Sequence, residues 1–78
     1  MNDMNTQHSM KTLHREYRVD KTRIGFIKFI FEAHEGVAVI TTLNAQTGHV
    51  RMAIAPGLAE DAFRIIADLK KDFMFHAV

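Results

Sequence analysis

Residues 23–36 read RIGFIKFIFEAHEG, and the fold turns on whether they form a helix or a strand. Six of the fourteen are Phe or Ile, with Lys28, Glu32, His34 and Glu35 threaded between them. An extended chain would place Phe26, Lys28, Ile30 and Glu32 on one face, mixing charge into the apolar row. A helix instead gathers Gly25, Lys28, Glu32 and Glu35 on one side, at spacings of three and four. The stretch therefore predicts a helix. Asp20 or Thr22 supplies its N-cap, and Gly36 fits the left-handed position that stops it. At about 100° per residue the apolar arc spans roughly 220°. One sheet face needs about half of that. Ile24, Ile27, Ile30 and Phe31 are assigned to the sheet. Phe26, Phe29 and Ala33 are left on a flank, where a second helix, a second subunit or water must meet them.

The neighbouring segments supply the sheet. TLHREYRVD (12–20) alternates, with Leu13, Arg15, Tyr17 and Val19 on one side and His14, Glu16 and Arg18 on the other. Arg15 is the one charged residue on the inward side, and its long stem reaches solvent near the strand's start. VAVITTL (37–43) is β-branched on both faces. NAQTG (44–48) is a hairpin loop with Gly48 in a left-handed conformation. HVRMAIA (49–55) alternates again, with Val50, Met52 and Ile54 inward and His49, Arg51, Ala53 and Ala55 outward. PG (56–57) ends it. From Leu58 a helical period returns, with Leu58, Ala62, Ile65, Ile66 and Leu69 on one face and Glu60, Asp61, Arg64 and Asp68 opposite. DFMFHAV (72–78) closes as a strand.

The order is β-α-β-β-α-β. Two right-handed crossovers predict an α+β, ferredoxin-like plait: a four-stranded antiparallel sheet, spatial order 4-1-3-2, with both helices on one face. The fold class names topology alone and implies no cluster. The domain spans 12–78, and the polar stretch 1–11 reads as a disordered tail.

Composition narrows the function classes. A chain of 78 residues buries roughly 60% of its unfolded surface, so it gains from disulfides, metals or oligomerisation. There is no cysteine, which removes disulfides, thiolate zinc and iron–sulfur ligands, and fits a cytoplasmic protein. A net charge of +1 lacks the basic excess usual in phosphate-gripping domains. The first residues lack an apolar signal-peptide core, and no apolar run is long enough to span a bilayer.

The stretches EAHEGVAVITTL (32–43) and RMAIAPG (51–57), within a pattern that covers nearly everything after the tail, resemble a family of short bacterial proteins known only as domain-of-unknown-function family 4911. The resemblance implies a small standalone ferredoxin-like domain and carries no activity or catalytic residues. A looser, fold-level likeness is to ACT domains, which share this element order and bind amino acids at subunit interfaces. ACT domains usually open their first helix with an Asp, two residues and a Gly. Here KTRI (21–24), four residues long, separates Asp20 from Gly25, so the ligand-binding loop departs from that pattern.

The candidate binding residues are His14, Arg18, His49 and Arg51, which the alternation puts on the outer sheet face with Glu16. His76 joins them from the neighbouring edge strand. Paired arginines on adjacent strands can grip a carboxylate or phosphate. A cross-strand salt bridge among Glu16, Arg18 and Arg51 is the plainer expectation. The five histidines form no HxH or HxxxH pair, so no metal is expected. His34 reads as a C-terminal cap or a packed imidazole near the first helix's terminal carbonyls. Sheets of this kind that read RNA use outward aromatics, which are missing here. Ser9 is the only serine and lies in the tail, and no acid–base pair is evident, so no enzyme activity and no cofactor are expected. The reading is a homo-oligomeric, dimeric regulatory or interaction module, with Phe26, Phe29 and Ala33 at the interface and room for a small ligand at the subunit boundary. The alternative is a nucleic-acid-binding module using the Arg/His sheet face.

Overall fold

In a computed structural model that describes residues 11–78, the chain folds as β1 (Leu13–Val19), a 3-10 turn (Lys21–Arg23), α1 (Ile24–Ala33), β2 (Ala38–Asn44), β3 (His49–Ile54), α2 (Ala59–Leu69) and β4 (Phe75–Ala77). The expected tail at 1–11, with His8 and Ser9, lies outside the described residues except for Lys11. The strands form one antiparallel sheet in the order β2-β3-β1-β4, the expected 4-1-3-2 read from the other edge.

Register follows the alternation. Leu13 pairs with Ile54, Arg15 with Met52 and Tyr17 with Val50. Tyr17, Val19, Val50, Met52, Ile54, Ile40 and Phe75 thus share one sheet face, and they pack with Ile27 and Phe31 of α1 and with Ala62, Ile66 and Leu69 of α2 in a single core. Both helices therefore cover the same face. Tyr17 and Phe75 meet edge to face, their centroids 5.1 Å apart. Burial pushes the Tyr17 phenol pKa up, and the nearby Arg15 opposes that shift. Arg15 itself is exposed, its guanidinium 6.0 Å from the centre of the Phe63 ring on α2, so its stem crosses the core margin and its charge ends on an aromatic face.

Three boundaries differ from the sequence reading. Asp20 caps the 3-10 turn rather than α1 directly: its carboxylate accepts from the Thr22 amide at 2.9 Å and the Thr22 hydroxyl at 2.7 Å. Those two bonds hold the Asp20 carboxyl below its ordinary pKa. β2 carries a bulge, because Thr42 pairs with Val50 while Asn44 pairs with His49, leaving Leu43 as the extra residue. β4 shrinks to Phe75–Ala77, since turns from Lys71 and Asp72 back to Asp68 and Leu69 consume the start of the segment.

Candidate functional site

Two surfaces gather the residues singled out by the sequence. The first is the outer flank of α1. Ile27 and Phe31 are buried and Ile24 and Ile30 half-buried, all directed at the sheet or its margin. Phe26 is 45% exposed and Phe29 64% exposed, and Ala33 is exposed beside them. The two phenyl groups differ in surroundings. Phe26 lies toward the end of α2, edge-on to Phe73 at 6.3 Å, and Arg23 covers the same Phe73 ring at 5.9 Å. The segment after α2 thus covers part of the excess arc, at Phe26. Phe29 is left facing solvent.

The position of α1 on the sheet follows from its sides. Ile30 and His34 line a groove of about 380 Å³ facing Asp61, Arg64, Ile65 and Asp68 of α2. On the opposite side, Lys28, Phe31 and Glu32 form a crevice with Ala38, Val39 and Ile40 of β2. Lys28 and Glu32 therefore lie on the side of α1 toward the free β2 edge, and Gly25 and Phe29 follow on the arc that faces away from the sheet. His34 is the expected C-cap, its amide donating to the Ile30 carbonyl at 3.2 Å, but its imidazole is exposed rather than packed, at the mouth of the interhelical groove. Gly36, with φ +81°, completes the turn away from the helix.

The second surface is the outer sheet face. His14, Glu16, Arg18 and Arg51 are exposed there and His49 half-exposed, and the ladder pairs Arg18 with His49 on one side and His76 on the other. The expected salt bridge takes a different partner. Glu16 stands directly opposite Arg51, yet its Oε1 lies 2.8 Å from His49 Nε2, a diagonal contact. The pair has one short side chain at each end, and both ends are largely in water, so it contributes well under ~1 kcal/mol. Arg18 and Arg51 form the other diagonal of the same four-residue square and have no carboxylate partner among the described residues. The histidines share the face without converging: His14 stands opposite Ala53, four residues along the strand from His49. Among the described residues no three His, Cys, Asp or Glu side chains gather as metal ligands would.

The predicted order 4-1-3-2 leaves the second strand at an edge with unpaired backbone groups, and β2 is that edge. The Ala55 amide donates to the Val37 carbonyl at 2.8 Å, which fixes the alternation of the ladder. Odd-numbered residues of β2 then bond β3, and the amides and carbonyls of Ala38, Ile40 and Thr42 face away from the sheet. What the structure adds is the phase of the ladder, which decides which residues leave their backbone groups free.

The model of one family, described as Domain of unknown function (DUF4911), matches residues 17–72. No curated protein and no solved structure matches the chain. No helix among the described residues is long and apolar enough to cross a membrane.

Proposed function

The chain belongs to the DUF4911 family, and from that footing we propose that it is a non-enzymatic, homo-oligomeric interaction module of the regulatory kind, associating through the outer flank of α1. One observation carries the proposal. The apolar arc of α1 exceeds what the rest of the chain covers, leaving Phe29 64% and Phe26 45% exposed while Ile27 and Phe31 are buried. A solvent-facing phenyl beside a second half-exposed one is the kind of patch that marks a contact surface. A chain of 78 residues also gains stability from any apolar area a second copy removes from water.

Sedimentation velocity over a concentration series tests it. The wild-type chain should move from monomer to dimer as concentration rises, and Phe29→Glu should hold it at the monomer by placing an unpaired charge in an apolar contact. A wild type that stays monomeric at high micromolar concentration overturns the proposal.

A second reading rests on the outer sheet face, where Arg18 and Arg51 lack carboxylate partners among the described residues and are free to meet an anion. A small carboxylate or phosphate ligand fits two guanidinium groups on one face. A nucleic acid would add a steep loss of binding with salt, which a titration with single-stranded RNA at two ionic strengths would reveal.

A further inference from the structure

We propose that the second copy docks along β2, so that two sheets join edge to edge about a two-fold axis at Ile40 and the two α1 helices lie side by side above the junction. This rests on the homo-oligomeric reading above and names the surface that assembly uses. Three observations, one on β2 and two on α1, point to this contact.

The first is the backbone. Ala38, Ile40 and Thr42 turn their amides and carbonyls outward along the free edge. An antiparallel second β2, centred on Ile40, pairs Ile40 with the second copy's Ile40 and Ala38 with the second copy's Thr42, satisfying these groups on both chains. The bulge at Leu43 ends the regular run just beyond Thr42, which favours this register over one shifted toward Asn44. Natural edge strands are usually blunted by Lys, Pro or an inward charge. The stretch AVITT (38–42) has none of these. β4, the other edge, is only three residues long, which is itself a protection.

The second is charge. Lys28 and Glu32 flank the crevice beside Ala38, Val39 and Ile40, and neither has an ion-pair partner among the described residues. The two-fold that pairs the strands sets the α1 helices antiparallel, with Lys28 of one copy opposite Glu32 of the other. The same contact repeats on the other side of the axis, as an isologous interface requires. An unrelated partner strand would have no reason to match this order of charges, so the edge fits a second copy.

The third is Gly25. A glycine in the middle of a helix costs roughly 0.5–1 kcal/mol relative to Ala, and Gly25, the second residue of α1, carries a smaller cost of the same kind. Nothing in the single chain explains it, because a Cβ at Gly25 would meet no atom within 4 Å. Gly25 lies on the same arc as Lys28, Phe29 and Glu32, where its bare backbone allows the second α1 to approach closely and Phe29 to fold over the contact.

Charge-swap variants of the full chain, with sedimentation equilibrium and amide exchange as readouts, test the docking. Lys28→Glu and Glu32→Lys should each weaken dimerisation about tenfold, about 1.4 kcal/mol, and the double swap should restore it. Val39→Lys alters a side chain that is 66% exposed in the single chain, so folding should be unaffected while the dimer weakens by more than about tenfold. In the wild type, the amides of Ala38, Ile40 and Thr42 should exchange slowly at concentrations that favour the dimer and fast in the monomer. A dimer with unchanged affinity in Val39→Lys and no exchange protection at Ile40 overturns the edge docking while leaving the homo-oligomeric reading intact. A chain that never dimerises overturns both.

Discussion

Gly48 occupies a position that no other residue can take without rebuilding the sheet. Its φ of +78° is in the left-handed region, and an added Cβ would collide with the Val19 carbonyl, the group beside the amide that bonds Gly48 O at 2.9 Å. Gly48→Ala should therefore lower the urea midpoint by an amount equivalent to at least about 2 kcal/mol, more than backbone strain of that kind alone costs at the low end. Asp20 makes a smaller, pH-dependent contribution. Its carboxyl is held below the ordinary value of 3.8 by the Thr22 hydroxyl and then the Thr22 amide. A carboxyl depressed in the folded state stabilises above its unfolded pKa and loses that contribution as pH falls through the folded value. Stability measured by urea unfolding should thus fall more steeply below pH ~4 in the wild type than in Asp20→Asn, which keeps a capping group without the titration. Residue-level chemistry of this sort was readable in part. The NAQTG loop announces a left-handed glycine, and Arg15 on an otherwise apolar row announces a long stem reaching outward. The Glu16–His49 contact was not readable, because a diagonal partner depends on the register between two strands far apart in the chain.

At the level of the element, α1 divides its aromatic residues into two classes that look alike in the sequence. Phe31 is 1% exposed and packs in the core, whereas Phe29 is 64% exposed. Under dilute, monomeric conditions Phe31→Ala should cost about 3–5 kcal/mol, by lost burial and the cavity left behind. Phe29→Ala should stay within about 0.5 kcal/mol of wild type, as surface substitutions do. Gly25→Ala, in the first turn of α1, should raise monomer stability by up to about 0.5 kcal/mol. Comparing urea unfolding of the three variants at low micromolar concentration checks this partition. The spacing of Lys28, Glu32 and Glu35 was enough to orient the helix and to assign Phe26, Phe29 and Ala33 to its outer flank. It could not show that Phe26 would find Phe73, since that contact depends on where the chain turns after α2. The shortening of β4 has a similar cause: DFMFHAV alternates throughout, but helix-terminal bonds from Lys71 and Asp72 claim its start.

Over the whole molecule, the plait topology was legible because each segment declares its period and the order leaves few handed solutions. The predicted strand order also placed the second strand at an edge, while the phase of its free amides and carbonyls needed the ladder itself, and the proposed assembly depends on both. β2 offers a free backbone row, α1 lies above it with Lys28 and Glu32 unpaired among the described residues, and Phe29 faces solvent on the adjoining arc. A second copy is the partner that meets all three features by symmetry. The most direct test is isotope-filtered NMR on an equal mixture of carbon-13-labelled and unlabelled full-length chain, at a concentration in the high micromolar range. The account predicts intermolecular cross-peaks from the Phe29 ring and Gly25 to the other copy's α1, and from Ile40 across the β2 junction. A rotational correlation time of a monomer, with no intermolecular cross-peak from α1 or β2, would contradict it.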